Sequence, residues 1–320
     1  MRPALARALA PWLLAALLCV PAPSTAQEEP LTAIRAARLV DGTGAEPLSN
    51  PVVLVRGERI EAVGSDMEIP VGALVVDLGD ATLLPGLIDL HTHLVNDPDL
   101  HWEDELLAAT PATMALSAAR NARITLEAGF TTVRDMGTSW PYVDVALRDA
   151  IEAGWLPGPR MHVAGAYVSA TGGAGDARQF SPYVQVPRAE TLADGPEEIR
   201  KAVRTHLKQG ADFIKVLATG AVLSRGLPPG AQQYSGEELR TAVVEAGRWG
   251  RRVAAHAHGA EGIKAALRAG VHTVDHGSML DDEAIGMLRT REAFYVPTLY
   301  TSTYVLENAA DGVVPPDQVE

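Results

Sequence analysis

The sequence predicts an α/β chain: a barrel of parallel strand–helix repeats following a small all-β unit. Three observations support this. From Leu83 onward, apolar runs of strand length alternate with helical stretches, as in parallel strands joined by crossover helices. Before that point, short β-rich runs are separated by turns, and no helical period develops. Histidines fall at the C-terminal ends of several strands in the alternating region, and in a parallel barrel those ends converge on one face. The alternation alone fits an open doubly wound sheet equally well; the histidines select the barrel. With 47% hydrophobic residues, the 320-residue chain has enough apolar material for one large domain and one small one, which excludes a disordered chain.

Residues 1–26 read as a signal peptide. Arg2 and Arg7 precede the apolar run Leu9 to Val20, Pro21 and Pro23 interrupt it, and Ser24-Thr25-Ala26 offers small residues for cleavage near Ala26. The run is too short for a good membrane span. The expected location is therefore periplasmic or extracellular. Cys19, the single cysteine, lies inside this segment, so the mature chain would have no disulfide and no thiolate nucleophile or ligand. The net charge of −13, with no Lys/Arg-rich run, argues against nucleic acid or an anionic membrane as the main partner. Oligomeric state is left open, a homo-oligomer included.

Residues 27–83 carry strand-like runs at Ala33 to Leu39, Val52 to Arg56, Arg59 to Val63 and Leu74 to Asp77, and read as a small all-β unit. In residues 84–320 strands are expected to start near residues 87, 130, 160, 212, 252, 271 and 294. Helices are expected at Leu106 to Ala128, Val143 to Ala153, Glu197 to Lys208, Gly236 to Arg248, Glu261 to Ala269 and Asp281 to Arg289. Ser235-Gly236-Glu237-Glu238 is a capping box for one of these. An eight-stranded barrel needs one more strand, and the polar stretch after Tyr304 offers none. The barrel therefore reads as incomplete, with about seven strands, truncated before strand eight.

His91 and His93 follow the first barrel strand in Leu87-Ile88-Asp89-Leu90-His91-Thr92-His93. Residues two apart in an extended backbone face the same way, so both imidazoles can reach one ion. His256 and His258 end the fifth strand, and His276 ends the sixth in Val274-Asp275-His276-Gly277. Lys215 lies inside the near-continuous apolar fourth strand. Each alone is weak: most isolated His-x-His pairs are incidental, and a strand lysine can snorkel out. Together they direct several candidate ligands into one space, and imidazoles suit zinc and similar metals. An ammonium has donors only, so Lys215 would need chemical modification to join them.

These residues resemble the amidohydrolase superfamily, and within it the imidazolonepropionase-like and Xaa-Pro dipeptidase-like enzymes. The resemblance rests on Leu84 to His93, Leu126 to Asp135, Ala211 to Gly220, Ala254 to Gly259 and Val271 to Ser278. It implies two divalent ions, zinc by expectation, bridged by N6-carboxylated Lys215. His91 and His93 would hold one ion, and His256 and His276 the other. His258 would lie just behind the ligands or line the pocket. Separately from the resemblance, Tyr234 ends the loop 221–234 expected on the metal face, and is a candidate substrate contact through its hydroxyl or, equally, a packing residue at a helix start. The catalytic aspartate of such enzymes ends strand eight, which is expected beyond Glu320. The resemblance also implies that residues 27–83 form a small N-terminal β-sandwich, a composite one whose C-terminal strands are expected there too. In Gly172-Gly173-Ala174-Gly175-Asp176, Ala174 stands where this group commonly carries histidine. The implied activity is hydrolysis of an amide in a small-molecule or dipeptide substrate, peptide-like, N-acyl amino acid or Xaa-Pro. A lactonase or cyclic-amide hydrolase with the same metals is the alternative, and an inactive metal-binding fragment is the non-enzymatic one.

Overall fold

The computed structural model describes residues 29–97, 102–177, 180–181, 183–184 and 191–307; residues 1–26, expected to be a signal peptide and containing Cys19, lie outside them, as does the stretch past Glu307. The chain divides into two compact units, Met1–Pro85 and Gly86–Glu320.

In the first unit, β1 (Leu31–Arg35), β4 (Pro51–Arg56), β5 (Arg59–Ser65) and β6 (Leu74–Asp77) form a sheet of order β5-β4-β1-β6. The short strands β2 (Arg38–Leu39), β3 (Leu48–Ser49) and β7 (Thr82–Leu83) form a second sheet of order β3-β2-β7. Ala33, Val52 and Leu54 make its small core. The expected strand at Ala33 to Leu39 is thus two pieces serving two sheets.

The second unit is built on parallel strands. β8 (Leu87–Thr92), β9 (Phe130–Asp135) and β10 (Arg160–Val163) form a sheet of order β10-β9-β8. β11 (Tyr167–Val168), β12 (Ile214–Leu217), β13 (Val253–Gly259), β14 (Thr273–Met279) and β15 (Phe294–Val296) follow in sequence order in another. All seven expected strands are present. The eighth parallel segment, β11, continues β10 across a bend at Gly165, whose φ of 76° favours glycine. Asp212 joins the two sheets at that bend: its N–H donates to Val163 O (2.8 Å), and its carboxylate accepts from Val163 N (3.0 Å). Met136, Ala164, Phe213 and Ala254 fill the interior between them. The second unit is a distorted (β/α)-barrel core of parallel strands.

The helices are α1 (Trp102–Ala108), α2 (Pro111–Glu127), α3 (Val143–Glu152), α4 (Gly195–Lys208), α5 (Gly236–Arg248), α6 (Ala260–Ala269), α7 (Asp282–Thr290) and α8 (Leu299–Glu307). The single helix expected from Leu106 to Ala128 is two. Pro111 pushes Thr110 into extended backbone (φ −119°, ψ 159°), and Thr110 then caps α2 through Thr113 N. The capping box on α5 forms as read, with Ser235 N bonded to Glu238 Oε2 at 2.8 Å and Glu238 N to Ser235 Oγ at 3.3 Å. α8 was not expected: its Thr- and Tyr-rich sequence has weak helical propensity, and none of its residues is buried. Among the described residues, no helix is long and apolar enough to cross a membrane.

Candidate metal centre

The strands carrying the histidines extend further than apolar patterning suggests. β13 and β14 run through the histidines to Gly259 and Met279, so His256, His258 and His276 belong to the parallel ladder. Strict alternation would send neighbours Asp275 and His276 to opposite faces. His276 instead adopts a left-handed conformation (φ 74°), which is uncommon for a residue with a Cβ. Tyr295 Oη donates to its carbonyl (2.9 Å), and Thr298 Oγ1 lies 2.9 Å from its Nδ1. Both neighbours consequently reach His91: the rings of His276 and His91 are 4.6 Å apart, and Asp275 Oδ1 lies 3.5 Å from His91 Nδ1.

Five histidines form one chain of ring contacts. His91 lies 5.4 Å from His93 and 4.6 Å from His276, and His276 lies 4.6 Å from His256 and 5.0 Å from His258. Ring nitrogens of His256, His258 and His276 all fall within 4.8 Å of one another. His258, which the sequence places beside the ligand set, therefore groups with His256 and His276 as a candidate ligand in its own right. His93 Nδ1–H donates to Gly137 O (2.6 Å), leaving Nε2 free for a ligand role; His256 Nε2–H donates to Gly220 O (3.1 Å), leaving Nδ1.

The donor chemistry fits a divalent ion. Burial, then the Lys215 charge, lowers His91 to about 3 and His258 to about 4. Burial holds His256 and His276 well below their ordinary value, followed by the charge of His258 in the first case and of His256 in the second. These four rings are neutral at pH 7 and keep a lone pair each. His91 Nδ1 is buried with no hydrogen-bond partner.

Lys215 is 2% exposed on β12, and its Nζ is 3.4 Å from Asp275 Oδ2. Burial lowers its amine to about 8, against the pull of Asp275 in the other direction. Tyr234 is not brought to the histidines. It is 1% exposed in the core formed by β12, β13 and their helices, and its hydroxyl donates to Ala193 O (2.8 Å), the arrangement of the packing alternative. Ala174 is also fixed, its N–H donating to Gln233 Oε1 (3.0 Å) and its carbonyl accepting from Ser224 Oγ (2.9 Å).

Two residues that sequence reading quoted without a role stand out here. Asp275 is 0% exposed and lies against Lys215 and His91; Arg134 Nη2 donates to it at 2.5 Å. The available signal was a carboxylate and a guanidinium on strands otherwise destined for the interior.

Gly259 directly follows His258, and a methyl group on it would overlap the backbone of Gly230. Gly259→Ala is expected to lower stability by about 1–3 kcal/mol through overpacking, read by urea unfolding. An unchanged midpoint would show that the 221–234 loop yields freely.

The amidohydrolase family model matches residues 82–314. Ochratoxinase of Aspergillus niger is 34% identical over 310 residues, covering 91% of this chain and 63% of the relative, so the chain spans less than two thirds of that protein's length. A Xaa-Pro dipeptidase solved with methionine in its active site superposes with a TM-score of 0.83 at 34% identity, covering 90% of this chain and 72% of that one. A prolidase complexed with N-methylphosphonate-L-proline gives a TM-score of 0.82 at 31% identity, covering 90% and 71%. The histidine-bearing barrel lies within the matched span, and the chain belongs to the amidohydrolase family.

Proposed function

We propose that this chain belongs to an exported hydrolase that cleaves the amide bond of a peptide-like substrate, of the Xaa-Pro dipeptide or N-acyl amino acid kind. The observation that carries the proposal is the gathering of five imidazoles around buried Lys215. In this reading His91 and His93 would hold one divalent ion, and His256 and His276, joined by His258, would hold a second; zinc suits the imidazole donors. Lys215, once carboxylated, would supply an anionic ligand to both sets: the amine lone pair bonds to the carbon of CO₂, one C=O pair moves to oxygen, and the displaced N–H proton passes to water. The resulting carbamate is anionic and can serve as a ligand. When bound, such ions lower the pKa of a water from about 15.7 to about 7 and polarise a carbonyl.

The chain's own residues supply the rest. Burial keeps the imidazoles neutral, and Gly137 O and Gly220 O set the tautomers of His93 and His256. Asp275 is committed to Arg134 and Lys215, so the proton shuttle stays with the strand-eight aspartate that the family resemblance implies. The substrate class is supported by the similarity to a Xaa-Pro dipeptidase and a prolidase. Export is supported by the leader-like composition of residues 1–26.

The test is hydrolysis of Xaa-Pro dipeptides and N-acyl-prolines by the full gene product, loaded with zinc and compared with a chelator-treated sample. Metal-dependent release of proline is expected. A zinc-loaded protein that cleaves lactones but no member of the amide panel would overturn the substrate assignment.

A further inference from the structure

Arg134 on β9 and Asp275 on β14 are 141 residues apart in sequence and meet inside the barrel beneath the histidines. A buried carboxylate persists only if it is neutralised and hydrogen-bonded. Asp275 Oδ1 receives Arg134 Nη2 at 2.5 Å and faces His91 Nδ1 at 3.5 Å; its Oδ2 faces Lys215 Nζ at 3.4 Å and Thr273 Oγ1 at 3.5 Å. The guanidinium is also fixed on its other sides. Nε donates to Leu90 O, the carbonyl just before His91 (2.7 Å), Nη1 donates to Thr273 Oγ1 (3.1 Å), and the plane sits 5.6 Å from the Phe213 ring centre. One rigid fork thus ties together β8, β9 and β14, the strands that carry His91 and His276.

We propose that Asp275, clamped by Arg134, is a positioning residue that holds the side-chain nitrogen of Lys215 for carboxylation and keeps the carbamate aimed at the histidines. This rests on the metal-centre reading above. The carbamate nitrogen retains one N–H, which in a buried site needs an acceptor, and Asp275 Oδ2 already occupies that position. Arg134 supplies a permanent charge on the far side, so Asp275 can hold Lys215 without either group taking up another partner. The ammonium enters with three protons: two go to water as the N–C bond forms with CO₂, and the third is the one Asp275 holds.

The experiment is ¹³C NMR of the zinc-loaded protein in ¹³C-bicarbonate, with zinc affinity measured in parallel. In Asn one of the two carboxylate oxygens becomes an NH₂ donor, so the face toward either Arg134 or Lys215 meets a donor with a donor. Asp275→Asn is therefore expected to lose the carbamate resonance and to bind zinc about tenfold or more weakly, while circular dichroism shows a folded chain. If that variant does not fold, Arg134→Lys carries the test, because it keeps the charge and loses the fork; it is expected to weaken the same resonance. A full carbamate signal with unchanged zinc affinity in either folded variant overturns the proposal. If the unsubstituted protein shows no carbamate resonance, the bridging role of Lys215 falls first and the positioning role with it, so the two failures are told apart by that control.

Discussion

Lys215→Ala is expected to abolish the binding of two zinc ions per chain, measured as zinc content after equilibrium dialysis. Lys215 is buried on β12 at a point reached by strands on both sides of the barrel, with Asp275 3.4 Å away and the charges of His91, His93, His256, His258 and His276 all responding to it. The imidazoles are neutral ligands, so removing the only side chain proposed to become an anionic bridge leaves two dications facing each other without a shared counter-charge. The cluster of His256, His258 and His276 can still hold a single ion, so the expected stoichiometry falls from two to at most one. Two tightly held zinc ions per chain in Lys215→Ala would rule out the bridging role.

The second large effect is on stability. Arg134→Met is expected to destabilise the chain by about 3 kcal/mol or more, because it strips Asp275 of its closest cation while leaving the carboxylate fully buried. Lys215 remains at 3.4 Å, which keeps the loss at the lower end of the range for broken buried pairs. Met preserves much of the apolar stem, so cavity formation contributes little. Urea unfolding at pH 7 measures the loss from the shift in midpoint at constant slope. A shift worth less than about 1 kcal/mol would mean that Asp275 is neutralised in some other way.

Much of this site was legible in the chain itself. The His-x-His at 91 and 93, the pair at 256 and 258, His276 and Lys215 were all identifiable because each follows or interrupts an apolar strand, and strand ends of a parallel sheet share a side. β13 and β14 run on past His258 and His276, to Gly259 and Met279, because a buried, neutral histidine continues the ladder where apolar patterning stops. Tyr234 was a candidate substrate contact because it ends a loop expected on the metal face; its ring packs inward, as the helix-start alternative has it, and the hydroxyl finds a core carbonyl. The break between α1 and α2 was marked by Thr110-Pro111, but the alanine-rich run on either side masked it.

From the amino-acid order alone follow the strand–helix alternation, the capped α5, the candidate ligands and the family resemblance, because each depends on periodicity, turn chemistry or a short motif read within a few residues. Only the tertiary structure decided that Arg134, Asp275 and Lys215 act on one another, and that His258 groups with His256 and His276. Those contacts join residues up to 141 positions apart, and they exist because curvature of the sheets carries β9 across from β14 and because a left-handed turn at His276 lets two adjacent side chains enter the same space. Neither circumstance is written in any local pattern of the sequence.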